Sequence, residues 1–216
     1  MSNPWADTLN AIQTFARDRC AGHDPAHDAP HVSRVVANAR TIASQEPANS
    51  FIVDAAAWLH DIVQLPKGSG PPGESARRSA SEARTFLSEL GVPVDDVAAI
   101  AHAIEAHSFS GGLKPESIEA AILQDADRLD ALGAIGLARL WVVAGTLGSE
   151  LYHESDPSGA DRELDDRAYG LDHIAAKLLK LPDLMNTSAG RKLALQRAAF
   201  VREFQETFLR ELNVYS

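Results

Sequence analysis

Val32, Val35, Val36, Ala39, Ile42 and Ala43 recur three and four residues apart, the spacing that gathers apolar side chains on one stripe of a helix. Pro30 stands just before the run, where a first-turn proline is tolerated because its missing N–H would be unpaired in any case. Residues 51–62 are apolar almost all round, which predicts a helix central to the core. Ala76, Ala80, Ala83, Phe86, Leu87 and Leu90 predict a third helix, with Gly91 as its C-terminal cap. Val94, Val97, Ile100, Ala101 and Ile104 predict a fourth. A long segment over residues 117–147 is rich in Ala and Gly and suits close helix packing. Residues 171–181 and 188–212 add two more helices, and residues 5–20 form one at the N-terminus. No alternating Val/Ile/Thr run between turn residues predicts a strand. The pattern therefore predicts an all-α, multi-helix bundle. With no internal repeat and no low-complexity linker, it reads as one domain over residues 1–216, with the helix of residues 1–23 packed on it.

Two polar loops interrupt the pattern: LPKGSGPPGES (65–75) and HESDPSGADRELDD (153–166). Loops on a rigid scaffold often carry binding groups. Mobile connectors have the same composition, and the second loop reads rather as a connector.

Composition narrows the classes. Of 216 residues 45% are hydrophobic and 23% charged, a globular balance. No apolar run approaches the roughly 20 residues of a membrane span. The opening MSNPWADTLN lacks a basic stretch followed by an apolar one, so no signal peptide is expected. With a single cysteine, Cys20, this predicts a cytoplasmic protein without internal disulfides. The net charge of −10 argues against a duplex nucleic-acid partner, which needs a basic face. A small phosphorylated substrate remains compatible, because a metal and a few local Lys or Arg residues can hold it.

Eight histidines occur, at 23, 27, 31, 60, 102, 107, 153 and 173. His31 opens one amphipathic helix, and His60 with Asp61 closes the apolar one. In AAILQDADRLDALGAIG, Asp127 and Asp130 share a helix face while Asp125 points largely away from Asp127. Carboxylates in apolar company need a cation or strong donors. Spacing alone leaves open a metal, or pairing of Asp125 and Asp130 with Arg128 or another base. Imidazole and carboxylate donors without thiolate suit a hard or borderline divalent ion that keeps water positions open. A closed structural zinc site draws more often on cysteine.

The order His31, His60-Asp61, Asp127 resembles the H…HD…D signature of the HD-domain superfamily of metal-dependent phosphohydrolases. HDAPHVSRV (27–35), AAWLHDIV (56–63), AHSFSGG (106–112), LQDADRLDALGAIGLAR (123–139) and KLLKLPDLMNTSAGRKLA (177–194) look like successive blocks of one bacterial branch. That branch is similar to small nucleotide pyrophosphohydrolases. The resemblance implies His31, His60, Asp61 and Asp127 as metal ligands, with Mn2+ placed first and Mg2+, Co2+, Ni2+ or Fe2+ as alternatives. Asp130, one turn on, would orient a ligand or water. His27 and Asp28 match the family's first block and would line the mouth, with His27 contacting substrate; His107, and more weakly His102, fall where relatives place extra histidines for phosphate or a second metal.

Many members carry an acidic residue three positions after the HD aspartate, and here that position is Gln64. An amide orients water but takes no proton, so the base is expected to be Asp61 or the metal-bound hydroxide itself, or Asp130 or Glu82 where the fold brings them close. Lys67, Arg77, Arg78 and Arg128 are candidate phosphate contacts. His173 and Lys177 share a helix face four residues apart and could reach a phosphate oxygen. Lys177 would also offset charge in the transition state. The expected reaction is attack of metal-activated water on the phosphorus of a nucleotide or similar small molecule. A phosphodiesterase, a ppGpp-type hydrolase, a non-catalytic metal- and nucleotide-binding sensor and a di-iron oxygenase are the alternatives. A second copy of the chain is the one macromolecular partner left open, through the phenylalanines of the last helix.

Overall fold

The computed structural model describes residues 5–22, 28–65, 70–108 and 111–213. Among them every regular element is helical. An isolated bridge between Glu150 and Tyr169 is the one extended pairing. The chain forms two compact units, Met1–Asp127 and Arg128–Ser216.

The first unit holds α1 (Ala6–Arg19), α2 (Ala29–Ala43), α3 (Ser50–Leu59), α4 (Glu74–Glu89), α5 (Val94–His107) and most of α6 (Ile118–Asp130). Local chemistry sets these boundaries. The Asp28 carboxylate accepts the His31 backbone N–H at 2.9 Å and caps α2. The Asn49 side chain accepts from Phe51 N–H and caps α3. Gly91, at φ 73°, donates to Ser88 O while Val92 donates to Leu87 O, the paired closure that ends α4 where its apolar pattern runs out. The all-round apolar helix α3 is buried from Phe51 through Leu59 except at Asp54. It packs against α1, α2, α4 and α5, so its C-terminal residues His60 and Asp61 arrive in the core by construction.

The second unit holds the end of α6, α7 (Gly133–Leu147), α8 (Gly170–Ala176), a 3-10 helix (Leu178–Leu184) and α9 (Ser188–Asn213). Leu132, Leu137, Leu171, Ile174, Ala194, Ala198 and Val201 form its core. Trp141 stacks on Phe208 at 6.0 Å.

Two differences from the sequence pattern have local causes. The expected helix over 117–147 breaks after Asp130: Ala131 and Leu132 donate three residues back, and Gly133 takes φ 73°. The expected helix over 171–181 leaves α geometry at Lys177 and continues as a 3-10 helix that contains Pro182, which has no N–H to extend an α ladder.

The acidic loop 153–166 is pinned rather than loosely connected. Arg162 clasps the buried Asp172 carboxylate through both terminal nitrogens, at 2.6 and 2.7 Å, and covers the Tyr169 ring. Asp165 N–H adds a third donor to Asp172. Arg162→Ala is therefore expected to free this loop. Limited proteolysis should cut within 153–166 much faster than in the unaltered protein, with Arg162→Lys intermediate because it keeps charge without the fork.

Candidate metal centre

Five side chains of the first unit point at one another from four helices. His31 stands in the first turn of α2, His60 and Asp61 end α3, His107 ends α5, and Asp127 comes from α6. His31 Nε2 lies 3.7 Å from Asp61 Oδ2 and 3.5 Å from Asp127 Oδ1. His60 Nε2 lies 3.6 Å from Asp61 Oδ2, and His107 Nε2 3.7 Å from Asp61 Oδ1. Two groups, His31–His60–Asp127 and His60–Asp61–His107, each bring their donor atoms within 4.8 Å of one another. His31, His60, Asp61 and His107 are buried, and Asp127 is half-buried.

The donors are oriented for an electropositive guest. His60 Nδ1 donates to Ala57 O at 2.8 Å, and His107 Nδ1 makes the equivalent bond to Ile104 O. A carbonyl only accepts, so each ring carries a proton on Nδ1 and turns Nε2 inward. His60 Nε2 is fully buried and has no hydrogen-bond partner among the described residues, a costly condition unless something fills it. The separations of 3.5–3.7 Å exceed a hydrogen bond. They approximate the spacing of donors that share one cation at about 2.1 Å each. The C-terminal ends of α3 and α5 both face this point, and each contributes partial negative charge.

The electrostatics agree. Burial, over the opposing pull of Asp61, lowers the His60 pKa to about 4, so the ring is neutral and available to a metal at neutral pH. At His107 burial works downward, but the facing Asp61 carboxylate and the charge of Asp127 outweigh it and raise the pKa. These residues fit a divalent cation. Their nitrogen and oxygen donors, without sulfur, match the borderline class.

Cys20 meets the backbone of Asp61. Its thiol is 1% exposed and donates weakly to Asp61 O at 3.7 Å. Burial, reinforced by Asp61 and Asp28, pushes its pKa up to about 11. Native protein is therefore expected to leave DTNB unreacted at pH 8, because thiolate is the nucleophile. Unfolding in guanidinium should release one thiol equivalent at once.

The other sequence-selected residues fall elsewhere or lie outside the described residues, as His27 and Lys67 do. His102 Nε2 accepts the Glu116 N–H and anchors a loop. Arg77 and Arg78 both pair with Glu74 on their own helix, and Glu82 pairs with Arg19. In the second unit, Asp130 is buried against Arg139 at 2.7 Å, and Arg128 donates to Leu184 O. His173 and Lys177 share the Asp166 carboxylate. Their helical spacing was sound, and a carboxylate holds them together. Helical spacing does not single out two buried carboxamides. Asn38 donates to Ala126 O at 3.1 Å and Gln124 to Ala106 O at 2.8 Å. The signal for the first is an asparagine two turns from His31 among the apolar positions of α2.

The chain's residues 29–132 match the model of the HD domain. YpgQ of Bacillus subtilis is 37% identical over 199 residues, which cover 89% of this chain and 88% of YpgQ. The crystal structure of YpgQ in complex with ADP superposes with a TM-score of 0.73 at 33% identity, over 94% of this chain and 97% of that one. A crystal structure of an HD-superfamily hydrolase from Bacillus thuringiensis gives 0.74 at 33% identity, over 96% and 97%.

Proposed function

Because the chain belongs to the HD-domain family, we propose that it is a metal-dependent phosphohydrolase acting on a nucleotide or similar phosphorylated small molecule. The observation that carries this reading is the fully buried His60 Nε2, without a hydrogen-bond partner among the described residues and aimed at Asp61. His31, His60, Asp61 and Asp127 would hold the cation, with Mn2+ the first choice. When bound, a divalent cation supplies Lewis acidity toward a phosphoryl oxygen and lowers the pKa of water.

The remaining chemistry falls to side chains. His107, its Nδ1 tied to Ile104 O, can present a proton from Nε2 to a phosphate oxygen, helped by its raised pKa. Gln64 is half-buried after Asp61 and can orient water as donor and acceptor without taking its proton. That leaves Asp61 as the proton acceptor at the site. Asp130 already pairs with Arg139, so its role would be to brace the end of α6. The ADP held by YpgQ supports a nucleotide ligand.

A panel of nucleoside mono-, di- and triphosphates, a cyclic diester and ppGpp, assayed with Mn2+, tests this reading. The expected result is cation-dependent release of phosphate or pyrophosphate from a nucleotide. Absence of turnover with every ester and cation, alongside tight nucleotide binding, would replace it with the sensor reading that Gln64 keeps open.

A further inference from the structure

We propose that Asn38 is a positioning residue that sets the distance between His31 and Asp127, an inference that rests on the cation-binding reading of the site. Asn38 lies in the buried stripe of α2 among Val32, Val35, Val36, Ala39 and Ile42. It is only 8% exposed. A carboxamide in such a stripe breaks the local apolar rule, and breaks of this kind concentrate where function needs them.

Its donor goes to one place that matters. Asn38 Nδ2 meets Ala126 O at 3.1 Å, and Ala126 immediately precedes Asp127. Seven residues separate Asn38 from His31, about two helical turns, so both project from the same face of α2. The bond therefore ties the helix that carries His31 to the residue beside Asp127. Apolar packing between helices is non-directional and tolerates small axial slips. A directed N–H to carbonyl bond does not. The quantity it protects is the 3.5 Å gap between His31 Nε2 and Asp127 Oδ1. Gln124 makes the matching link from α6 to Ala106 O, one residue before His107, so α6 is fastened at both sides of the cluster.

The test is titration of metal-free protein with Co2+, read by calorimetry and by the visible absorption band. It compares the unaltered protein with Asn38→Leu and Asn38→Asp. Leu87→Ala, a core truncation in α4, serves as a control for general destabilisation, and all are read below their melting temperatures. Both Asn38 variants are expected to bind Co2+ about tenfold or more weakly, with a changed band shape, while Leu87→Ala keeps the native spectrum. Unchanged affinity and spectrum in either Asn38 variant, or an equal loss in Leu87→Ala, overturns the positioning role and leaves the metal reading intact. Failure of the unaltered protein to bind Co2+ overturns both. Should neither Asn38 variant fold, the 15N–1H signals of the Asn38 carboxamide in unaltered protein decide. They are expected to shift on Zn2+ addition, and signals that stay fixed overturn the proposal.

Discussion

Asp61→Asn is expected to lower phosphate-ester hydrolysis by about a thousandfold or more, since a catalytic cation is worth several kcal/mol and each 1.36 kcal/mol is tenfold. Among the described residues Asp61 lies within 3.7 Å of three imidazoles, so its loss removes much of the negative charge they face. The amide keeps the shape and removes the anion. A second readout separates function from folding. Ligand that binds only the folded state raises its melting temperature by mass action. Mn2+ is therefore expected to raise the melting temperature of the unaltered protein and leave that of Asp61→Asn unmoved. The metal-free proteins should melt within a few degrees of each other. Retained activity, or a Mn2+ shift equal to that of the unaltered protein, would show that Asp61 holds no cation. His60→Gln, which preserves volume at a fully buried position, should behave the same way.

The second large effect is on stability. Gly136→Ala is expected to cost about 3 kcal/mol or more, because overpacking against backbone cannot relax cheaply. A Cβ at Gly136 would lie 2.2 Å from both the carbonyl carbon and oxygen of Ala131, in the turn between α6 and α7. For a chain of this size that loss lowers the melting temperature by roughly 6–12 °C. Gly145 in the same helix meets nothing within 4 Å. Gly145→Ala should therefore raise stability by about 0.5–1 kcal/mol, the ordinary gain of alanine over glycine in a helix. Calorimetry of the two variants side by side reads opposite signs from one helix.

These glycines also show how far sequence carries. The Ala- and Gly-rich run 117–147 correctly signals close packing, and its periodicity gives helix. It does not reveal that Gly133 will take positive φ and split the run, since glycine permits that backbone without requiring it. The core stripe of α2, the all-round apolar α3 and the Gly91 stop were legible because each rests on nearest-neighbour chemistry. His60 and Asp61 were legible as a pair delivered by a buried helix, and the H…HD…D order pointed to their partners. What spacing could not supply was tertiary choice. Arg128 donates to Leu184 O, and Arg162 reaches Asp172 to pin a loop that reads as a connector. The identical Nδ1 anchoring of His60 and His107 is likewise tertiary, because a histidine at a helix end turns toward solvent as readily as toward the core.

Crystals soaked in Mn2+ and measured at the manganese absorption edge should show an anomalous peak bounded by His31 Nε2, His60 Nε2 and the carboxylates of Asp61 and Asp127. A peak located away from these four residues, or none at saturating Mn2+, would contradict the account.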